Sequence, residues 1–203
     1  GRGLVESLAE KKSFLYRRFG LKPRVVGVVD DSGAATNNKG LDWRLLVKKA
    51  YQKAKVSAFP NYKRISAVEA IESVECEIVF ELTPTNIQTG EPGLTHIKKA
   101  MKAGRHVITS NKGPLVVAFR ELEHLAKKQG VEFRYSASVG GAIPVIELAR
   151  KLLAGNEVLE IQGVLNGTTN YILSRMAEEG APFDQVLREA QELGIAEKDP
   201  TLD

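Results

Sequence analysis

The residues best suited to chemistry stand between His106 and Leu115, and the central one is Lys112. The stretch opens with apolar β-formers, which are typical of a strand buried on both faces. Three small polar residues follow this strand: Thr109, Ser110 and Asn111. Gly113 and Pro114 are predicted to turn the chain into an apolar-periodic helix. Because open α/β sheets bind ligands beyond the carboxyl ends of their strands, Lys112 is predicted to be a cation at the mouth of a ligand crevice. The alternative is a surface lysine in an ordinary strand-to-helix loop.

A second candidate, Asp30, follows an apolar strand predicted over residues 24–29. A helix with an apolar face, from Leu4 to Tyr16, is predicted before this strand. Helix, apolar strand and terminal acid form the second half of a dinucleotide-binding βαβ unit, in which the acid accepts hydrogen bonds from the adenosine ribose hydroxyls. Gly1 or Gly3 is then the last glycine of a G-x-G-x-x-G fingerprint, whose earlier part we expect to be cut off together with the first strand. The alternative is a flexible N-terminus before an ordinary helix.

The middle of the chain alternates between predicted strands and helices. A polar loop is expected over residues 32–39, and further strands are expected over residues 77–82 and 131–135. Intervening helices are predicted over residues 41–53, 67–73, 94–103 and 115–126. This alternation predicts a parallel, doubly wound sheet. Thr83 follows the strand at 77–82, and its surroundings fit a loop over a nicotinamide ribose and, almost as well, an ordinary turn.

The chain changes character after Tyr135, where residues 136–141 are small and glycine-rich. We therefore predict a dinucleotide-binding domain over residues 1–136, without its first strand, and an incomplete substrate-binding and dimerisation domain over residues 137–203. Helices at 144–153 and 182–193 and a half-buried strand at 157–165 are predicted in the second domain. Residues 163–173 place Thr168 and Thr169 at a helix start, where free backbone N–H groups can hold a carboxylate. The alternative is simple N-capping by one of these threonines.

The composition excludes several classes of protein. The 203 residues are 43% hydrophobic and 27% charged, which is ordinary for a globular protein, and the net charge is +4. Basic and aromatic residues do not interleave, so nucleic acid is not an expected partner. A single cysteine, Cys76, excludes an internal disulfide framework and suits a reducing compartment. The sequence has no signal peptide and no apolar run long enough to span a membrane, so we expect a cytoplasmic protein with no membrane partner.

Three ordered strings make the chain resemble the homoserine dehydrogenases: residues 107–115, 163–173 and 190–203. The resemblance implies an α/β fold, with a Rossmann-type doubly wound parallel sheet followed by the first part of an α+β substrate and dimerisation domain. It also implies a homodimer that interconverts L-homoserine and L-aspartate 4-semialdehyde with NAD or NADP, in the threonine and methionine branch of amino-acid biosynthesis. Hydride transfer to an aldehyde needs a cation that stabilises and protonates the developing alkoxide, and a lysine suits this role.

The resemblance also implies roles for individual residues. Lys112 matches a family lysine near nicotinamide and substrate, and Thr83 matches a cofactor-contacting threonine. With Gly1 and Asp30 they form the predicted cofactor-binding set, and Lys112 is the predicted catalytic residue. The implied substrate-binding residues are Gly167, Thr168, Glu197 and Asp203. A monovalent cation such as sodium is implied on three main-chain carbonyls, those of Val139, Gly141 and Ile143.

Several features depart from the family pattern. Ser136 stands where the family commonly has a glutamate, which removes a carboxylate from the implied cation site, and Ile195 replaces a frequent aromatic residue. The family signature normally continues past Asp203 to an aspartate and to a lysine that is the usual proton donor, and the sequence ends before both. Both ends of the chain thus fall inside motifs, so we expect a fragment with little activity of its own, in which Lys112 partly substitutes for that lysine. One alternative is a non-catalytic piece that folds, dimerises through the 157–165 region and binds nucleotide weakly. Another is a Rossmann oxidoreductase for a different semialdehyde.

The acid at position 30 also predicts a preference for NAD, because Asp30 would repel the 2′-phosphate of NADP. A complication is that Lys39 or Arg24 could swing to bind that phosphate.

Overall fold

The computed structural model describes residues 1–141, 143–164 and 166–196. The chain divides into two compact units, Gly1–Glu147 and Leu148–Asp203. The assignment of a dinucleotide-binding domain to residues 1–136 and of a substrate domain to residues 137–203 stays a prediction. None of the helices formed by the described residues is both long and apolar enough to cross a membrane.

The first unit opens with two helices where the sequence predicted one, α1 (Arg2–Glu10) and α2 (Lys12–Phe19). An antiparallel sheet follows, in the order β1 (Gly27–Asp30), β2 (Gly33–Thr36) and β3 (Tyr62–Lys63). Helices α3 (Trp43–Tyr51) and α4 (Ala67–Ser73) come before and after β3 in the chain, and α3 is preceded by an N-cap, Asp42. Residues 35, 41, 46, 56 and 59 form a buried apolar cluster in this part of the unit.

The loop predicted over residues 32–39 is therefore wrong, because residues 33–36 form β2. Asp30 pairs with Gly33 across a two-residue turn, and the Asp30 carboxylate accepts a hydrogen bond from the Ser32 N–H at 2.8 Å. Gly33 has a φ of 144°, which glycine adopts without strain. The chain thus reverses at the end of β1 and forms a hairpin.

A parallel sheet forms the second part of the first unit, in the order β4 (Ile78–Glu81), β5 (His106–Thr109) and β6 (Phe133–Arg134). Two helices cross over between these strands, α5 (Gly93–Lys102) and α6 (Lys112–Gln129), and they pack against each other. Helix α6 is kinked at Ala118, whose φ of −141° and ψ of 28° are not helical. Seven buried residues of α5, β5 and α6 form its core: Leu94, Ile97, Ala100, Met101, Val107, Leu122 and Ala126. The expected α/β class with a parallel sheet and crossover helices is confirmed.

The helix predicted over residues 144–153 is found as a short turn, α7 (Val145–Glu147), and a π-helical segment, Leu148–Leu152. Helix α7 is the end of the first unit, and the π-helical segment opens the second. The second unit contains α8 (Gly167–Glu179) and α9 (Phe183–Glu192), which enclose a small core of Ile172, Val186, Ala190 and Ala196.

The strand predicted over residues 157–165 is not present in its described part, residues 157–164. Leu159 and Ile161, which were expected to face a core, are 87% and 76% exposed. An alternating pattern produces a strand only where a neighbouring strand completes the ladder, and no described residue of this unit forms one.

Candidate functional site

The carboxyl ends of β4 and β5 lie side by side in the first unit. Their last residues, Glu81 and Thr109, are register partners, and both side chains are buried. The segments that follow these strands are joined by a hydrogen bond, in which Asn111 Nδ2 donates to Thr83 Oγ1 at 3.3 Å. The structure therefore brings Thr83 next to the residue that precedes Lys112.

A buried carboxylate lies beneath this junction. Glu81 is 3% exposed, and its Oε1 accepts hydrogen bonds from the Thr83 backbone N–H at 2.9 Å and from the Thr83 hydroxyl. Its Oε2 lies 3.2 Å from the Thr109 hydroxyl, which also lies 3.0 Å from the Glu81 main-chain oxygen. Our sequence analysis missed Glu81. Its sequence context, an acid as the last residue of an apolar strand, does not indicate burial, because acids at such positions are ordinarily solvated.

Asn111 links this junction to helix α6. Its Oδ1 accepts a hydrogen bond from the Gly113 N–H at 3.0 Å, which caps the helix, and its own N–H donates to Thr109 Oγ1 at 3.0 Å. The turn predicted at Gly113 and Pro114 is thus already helical, since α6 begins at Lys112. Asn111 is 2% exposed, so the start of the helix is fixed by buried contacts.

Two glycines allow the segments to approach closely. A Cβ at Gly113 would overlap the Asn86 carbonyl oxygen and lie 2.9 Å from its carbonyl carbon. A Cβ at Gly93, the first residue of α5, would lie 2.8 Å from Asn111 Nδ2 and 2.9 Å from Glu81 Oε2. Both distances are too short for a side-chain atom, so the geometry of the junction requires glycine at these positions.

Lys112 is the first residue of α6 and is exposed. No carboxylate of the described residues lies within ion-pair distance of its ammonium group. The positive charge therefore lies at the start of the first helical segment of α6, which ends at the kink at Ala118, and at the edge of the parallel sheet. This is a place where an anion, or an oxygen that becomes negative during a reaction, is stabilised.

Asp30 lies at the end of β1 with both carboxylate oxygens engaged. Oδ1 accepts from the Ser32 N–H at 2.8 Å and from its hydroxyl at 2.5 Å, and Oδ2 accepts from the Val56 N–H at 2.8 Å. Burial raises the pKa of Asp30, but these hydrogen bonds outweigh it, and the pKa lies below its ordinary value of 3.8. About four acceptor positions exist on a carboxylate, so roughly one remains for a ribose hydroxyl.

The remaining cofactor candidates are placed differently. Gly1 is exposed and precedes α1, where its carbonyl oxygen accepts from the Val5 N–H at 3.2 Å. A basic residue that our sequence analysis did not consider, Lys55, pairs with Asp31 at 3.2 Å beside Asp30. A cation other than the expected Lys39 and Arg24 therefore lies in the surroundings of Asp30.

The implied cation site lies on the segment between β6 and α7. The carbonyl oxygen of Ile143 accepts from the Val145 N–H at 2.9 Å, so one of the three expected main-chain ligands is partly engaged. Ser136 donates to Glu147 Oε1 at 3.0 Å, which places a carboxylate beside the position where the family's glutamate is lacking. Main-chain and carboxylate oxygens fit a hard cation. The described residues contain no group of three or more His, Cys, Asp or Glu that could hold a metal ion, and the cation site stays a prediction.

In the second unit, the predicted substrate residues Gly167 and Thr168 form the first turn of α8. The helix is capped by Asn166, whose Oδ1 accepts from the Thr169 N–H at 2.9 Å, so the alternative of capping by Thr168 or Thr169 is wrong. The Thr168 hydroxyl instead donates to the Ile195 carbonyl at 3.0 Å. The backbone N–H groups of Gly167 and Thr168 have no hydrogen-bond partner among the described residues, as expected for the first turn of a helix.

Two further predicted substrate residues, Glu197 and Asp203, lie outside the described residues. The description ends at Ala196, which is 6% exposed within the small core of the second unit. The Thr168–Ile195 hydrogen bond ties this part of the chain to the start of α8.

Comparisons with known proteins show which proteins the chain is similar to. The family model "Homoserine dehydrogenase" matches residues 144–203. A homoserine dehydrogenase of Methanocaldococcus jannaschii is 47% identical over 204 residues, which covers 100% of this chain and 60% of that protein. An NAD(+)-dependent homoserine dehydrogenase of Pseudomonas canavaninivorans is 37% identical and covers 100% of this chain and 58% of its own length.

Solved structures give the same result. A hyperthermophilic archaeal homoserine dehydrogenase in complex with NADPH superimposes with a TM-score of 0.84 at 31% identity, over 100% of this chain and 60% of that one. The chain therefore resembles these proteins along its whole length and spans about 60% of theirs.

Proposed function

Because the chain belongs to the homoserine dehydrogenase family, we propose that the protein interconverts L-homoserine and L-aspartate 4-semialdehyde with NAD or NADP. The observation that carries this proposal is the position of Lys112 on the buried junction of Glu81, Thr83 and Asn111, at the carboxyl ends of parallel strands. Ligands of parallel α/β sheets bind at this edge. We propose that this reaction belongs to the threonine and methionine branch of amino-acid biosynthesis.

Each part of the first unit has a defined chemical task in this proposal. The nicotinamide, when bound, supplies or accepts the hydride. Thr83 and Asp30 bind the nucleotide, and Gly1 stays a predicted backbone contact. In the direction of aldehyde reduction, the Lys112 ammonium group donates a hydrogen bond to the carbonyl oxygen of the substrate, stabilises the developing alkoxide and gives its proton to it. In the reverse direction, the neutral amine of Lys112 accepts the proton of the substrate hydroxyl.

The second unit is proposed to bind the amino-acid part of the substrate. The unbonded N–H groups of Gly167 and Thr168 at the start of α8 suit a carboxylate, because they carry the positive end of the helix dipole. Glu197 is proposed to accept hydrogen bonds from the substrate ammonium group, and Asp203 is proposed as a second acid of the substrate site.

We also propose a cytoplasmic homodimer. The single cysteine supports a reducing compartment. Exposed apolar side chains in the described residues 158–164, including Val158, Leu159, Ile161 and Val164, support a surface that a second copy covers. Sedimentation of the purified protein tests the dimer, and a monomer at micromolar concentration contradicts it.

The test of the activity is a direct assay of the full-length protein. L-homoserine is supplied with NAD or NADP, and formation of the reduced nicotinamide is followed by absorbance. Lys112→Ala is expected to lower kcat by about 10²- to 10⁴-fold, the range for loss of a general acid. Lys128→Ala, which removes an exposed lysine from the other end of α6, is the matched control and retains full activity.

Two results contradict the proposal. No turnover with either nucleotide, in a protein that binds them, supports the alternative of a non-catalytic chain. An equal loss in the two lysine variants shows that the charge at the start of α6 has no special role.

A further inference from the structure

Glu81 has no task in the proposed reaction, although it is the most deeply buried acid among the described residues whose burial is given. A buried carboxylate is weak evidence for stability, because an apolar side chain of similar volume often serves as well or better. Both contacts of its Oε1 go to a single residue, Thr83, through the backbone N–H and the hydroxyl. The carboxylate is therefore arranged around one residue at the ligand-binding edge of the sheet.

These contacts determine where the Thr83 proton points. A threonine hydroxyl has one proton and two acceptor positions, and a carboxylate only accepts, so the hydroxyl proton is directed at Glu81. The orientation of the Asn111 amide is fixed by the Gly113 N–H, which donates to its Oδ1 at 3.0 Å. Its Nδ2 therefore faces Thr83 Oγ1, at 3.3 Å, and fills one of the two acceptor positions. One acceptor position of the hydroxyl remains.

We propose that Glu81 is a positioning residue of the nucleotide site, whose buried carboxylate commits the Thr83 proton and so presents Thr83 to the bound cofactor as a hydrogen-bond acceptor. The ligand group that meets Thr83 is then a donor on the nicotinamide riboside, either a ribose hydroxyl or the carboxamide N–H. This inference rests on the proposed function, because it takes Thr83 as a cofactor contact.

Packing keeps this arrangement in one geometry. Gly93 leaves no room for a Cβ between Glu81 Oε2 and Asn111 Nδ2, so both groups are confined from the side of α5. On the other side, Oε2 lies 3.2 Å from the Thr109 hydroxyl. With its oxygens held by β5 and the loop after β4, the carboxylate cannot turn away from Thr83 without leaving buried donors unpaired.

The experiment combines Glu81→Met, which is similar in length and has no carboxylate, with Glu81→Gln, which keeps one oxygen for Thr83. Dissociation constants for NADH and NADPH are measured by fluorescence, and melting temperatures are recorded for every variant. Glu81→Met is expected to weaken nucleotide binding by about tenfold or more, the loss of one good hydrogen bond. The melting temperature of Glu81→Met is expected to fall, because the Thr83 backbone N–H loses its buried acceptor, so affinities are compared at a temperature at which every variant is folded. Glu81→Gln is expected to bind within about threefold of the parent protein.

A double-mutant cycle with Thr83→Val tests whether Glu81 acts through Thr83. Thr83→Val alone is expected to weaken binding about as much as Glu81→Met, and the second substitution is expected to add less than about twofold. The KM for homoserine is expected to stay within about twofold in every variant, whereas the KM for the nucleotide rises. Glu77→Gln, an exposed acid just before the opposite end of β4, is the matched control and has no effect.

Different outcomes separate this inference from the proposed function. If the parent protein binds neither nucleotide, the proposed function fails and this inference fails with it. The role of Glu81 alone is overturned if the parent binds nucleotide and Glu81→Met binds it equally well. The same conclusion follows if Glu81→Met weakens nucleotide binding by the same factor in the presence and in the absence of Thr83→Val. Should Glu81→Met not fold, Glu81→Asp, whose oxygens are one methylene short of Thr83, takes its place with the same expected loss.

The acetylpyridine analogue of NAD, which lacks the carboxamide N–H, identifies the donor. If Glu81→Met weakens binding of this analogue by the same factor as binding of NAD, a ribose hydroxyl meets Thr83. If the analogue binds weakly to the parent protein and Glu81→Met does not weaken its binding further, the carboxamide N–H is the donor that meets Thr83. Both results support the acceptor role of Thr83.

Discussion

Replacing Gly113 by alanine tests the close approach that sets the candidate site. Gly113 is the second residue of α6, and the loop after β4 passes directly against it. The added Cβ would overlap the Asn86 carbonyl oxygen and would lie 2.9 and 3.1 Å from the carbonyl carbon and the nitrogen of the same residue. All three atoms are backbone, so no side-chain rotation relieves the contact. Either the loop or the start of the helix must move.

The size of the effect follows from two opposing terms. Forcing one extra carbon into a well-packed site costs about 1–3 kcal/mol. Alanine also favours a helix over glycine by up to about 1 kcal/mol, which acts in the other direction. Gly3 is the second residue of α1 and has no atom within 4 Å of an added Cβ, so Gly3→Ala contains only the favourable term. The difference between the two variants is therefore the cost of the contact, about 1–3 kcal/mol.

The assay is urea unfolding followed by the fluorescence of Trp43, the only tryptophan, which lies in the same unit as Gly113. Gly113→Ala is expected to unfold at lower urea concentration than the parent, and Gly3→Ala at equal or higher concentration. Nucleotide affinity, measured in parallel for Gly113→Ala, is expected to fall with stability, because the displaced loop begins at Thr83. Equal stability of the two alanine variants would refute the close approach of the loop and α6.

Three further predictions concern charge. Asp30→Asn is expected to lower stability at neutral pH, because the lowered pKa of Asp30 reflects hydrogen bonds to its ionised form. The difference in stability between the parent and the variant is expected to be full above pH 3.8 and to shrink as the pH falls through the lowered pKa of Asp30. A difference in melting temperature that does not change with pH would contradict this expectation. The parent protein is expected to have a higher kcat/KM with NAD than with NADP, since the ionised Asp30 repels the 2′-phosphate of NADP. Asp30→Ser is expected to reduce this difference in kcat/KM. A preference for NADP in the parent contradicts this reasoning and favours binding of the phosphate by a nearby lysine. Glu197→Gln is expected to raise the KM for homoserine far more than the KM for nucleotide, as loss of a buried ion-pair partner costs about 2–5 kcal/mol, and equal changes in both would mean that Glu197 acts through folding.

The parallel sheet could be predicted because its strands read as short apolar runs, although Ile78 and Phe80 of β4 are 45% and 39% exposed in the structure. The βαβαβ order from β4 to β6 follows directly from the alternation of such runs with periodic helices. The same reasoning failed for β2, whose Gly33, Ala34 and Ala35 are small residues with weak strand preference. Their strand form depends on the turn at Asp31 and Ser32 and on pairing with β1, which is tertiary information.

The candidate site was predictable in part. Lys112 and Thr83 stand directly after apolar strands, so their position at the carboxyl edge follows from topology alone. The Glu81 network could not be predicted in this way, because an acid at the end of a strand is ordinarily solvated. Its burial results from three approaches that are distant in sequence: the helix start at Gly93, the pairing of β4 with β5, and the cap at Asn111. The roles of Glu197 and Asp203 stay predictions.

The helical start at Lys112 changes what this lysine can do. The sequence suggested a lysine before a Gly-Pro turn, and a side chain in a flexible loop would lose much of its conformational entropy on each binding event. The structure instead makes Lys112 the first residue of α6, between the buried cap Asn111 and the buried Gly113. Its backbone is thus fixed before any ligand binds, and only the four-carbon side chain remains to be ordered. A cation on a fixed backbone is preorganised for charge that develops during the reaction, which is the condition under which electrostatic stabilisation lowers a barrier.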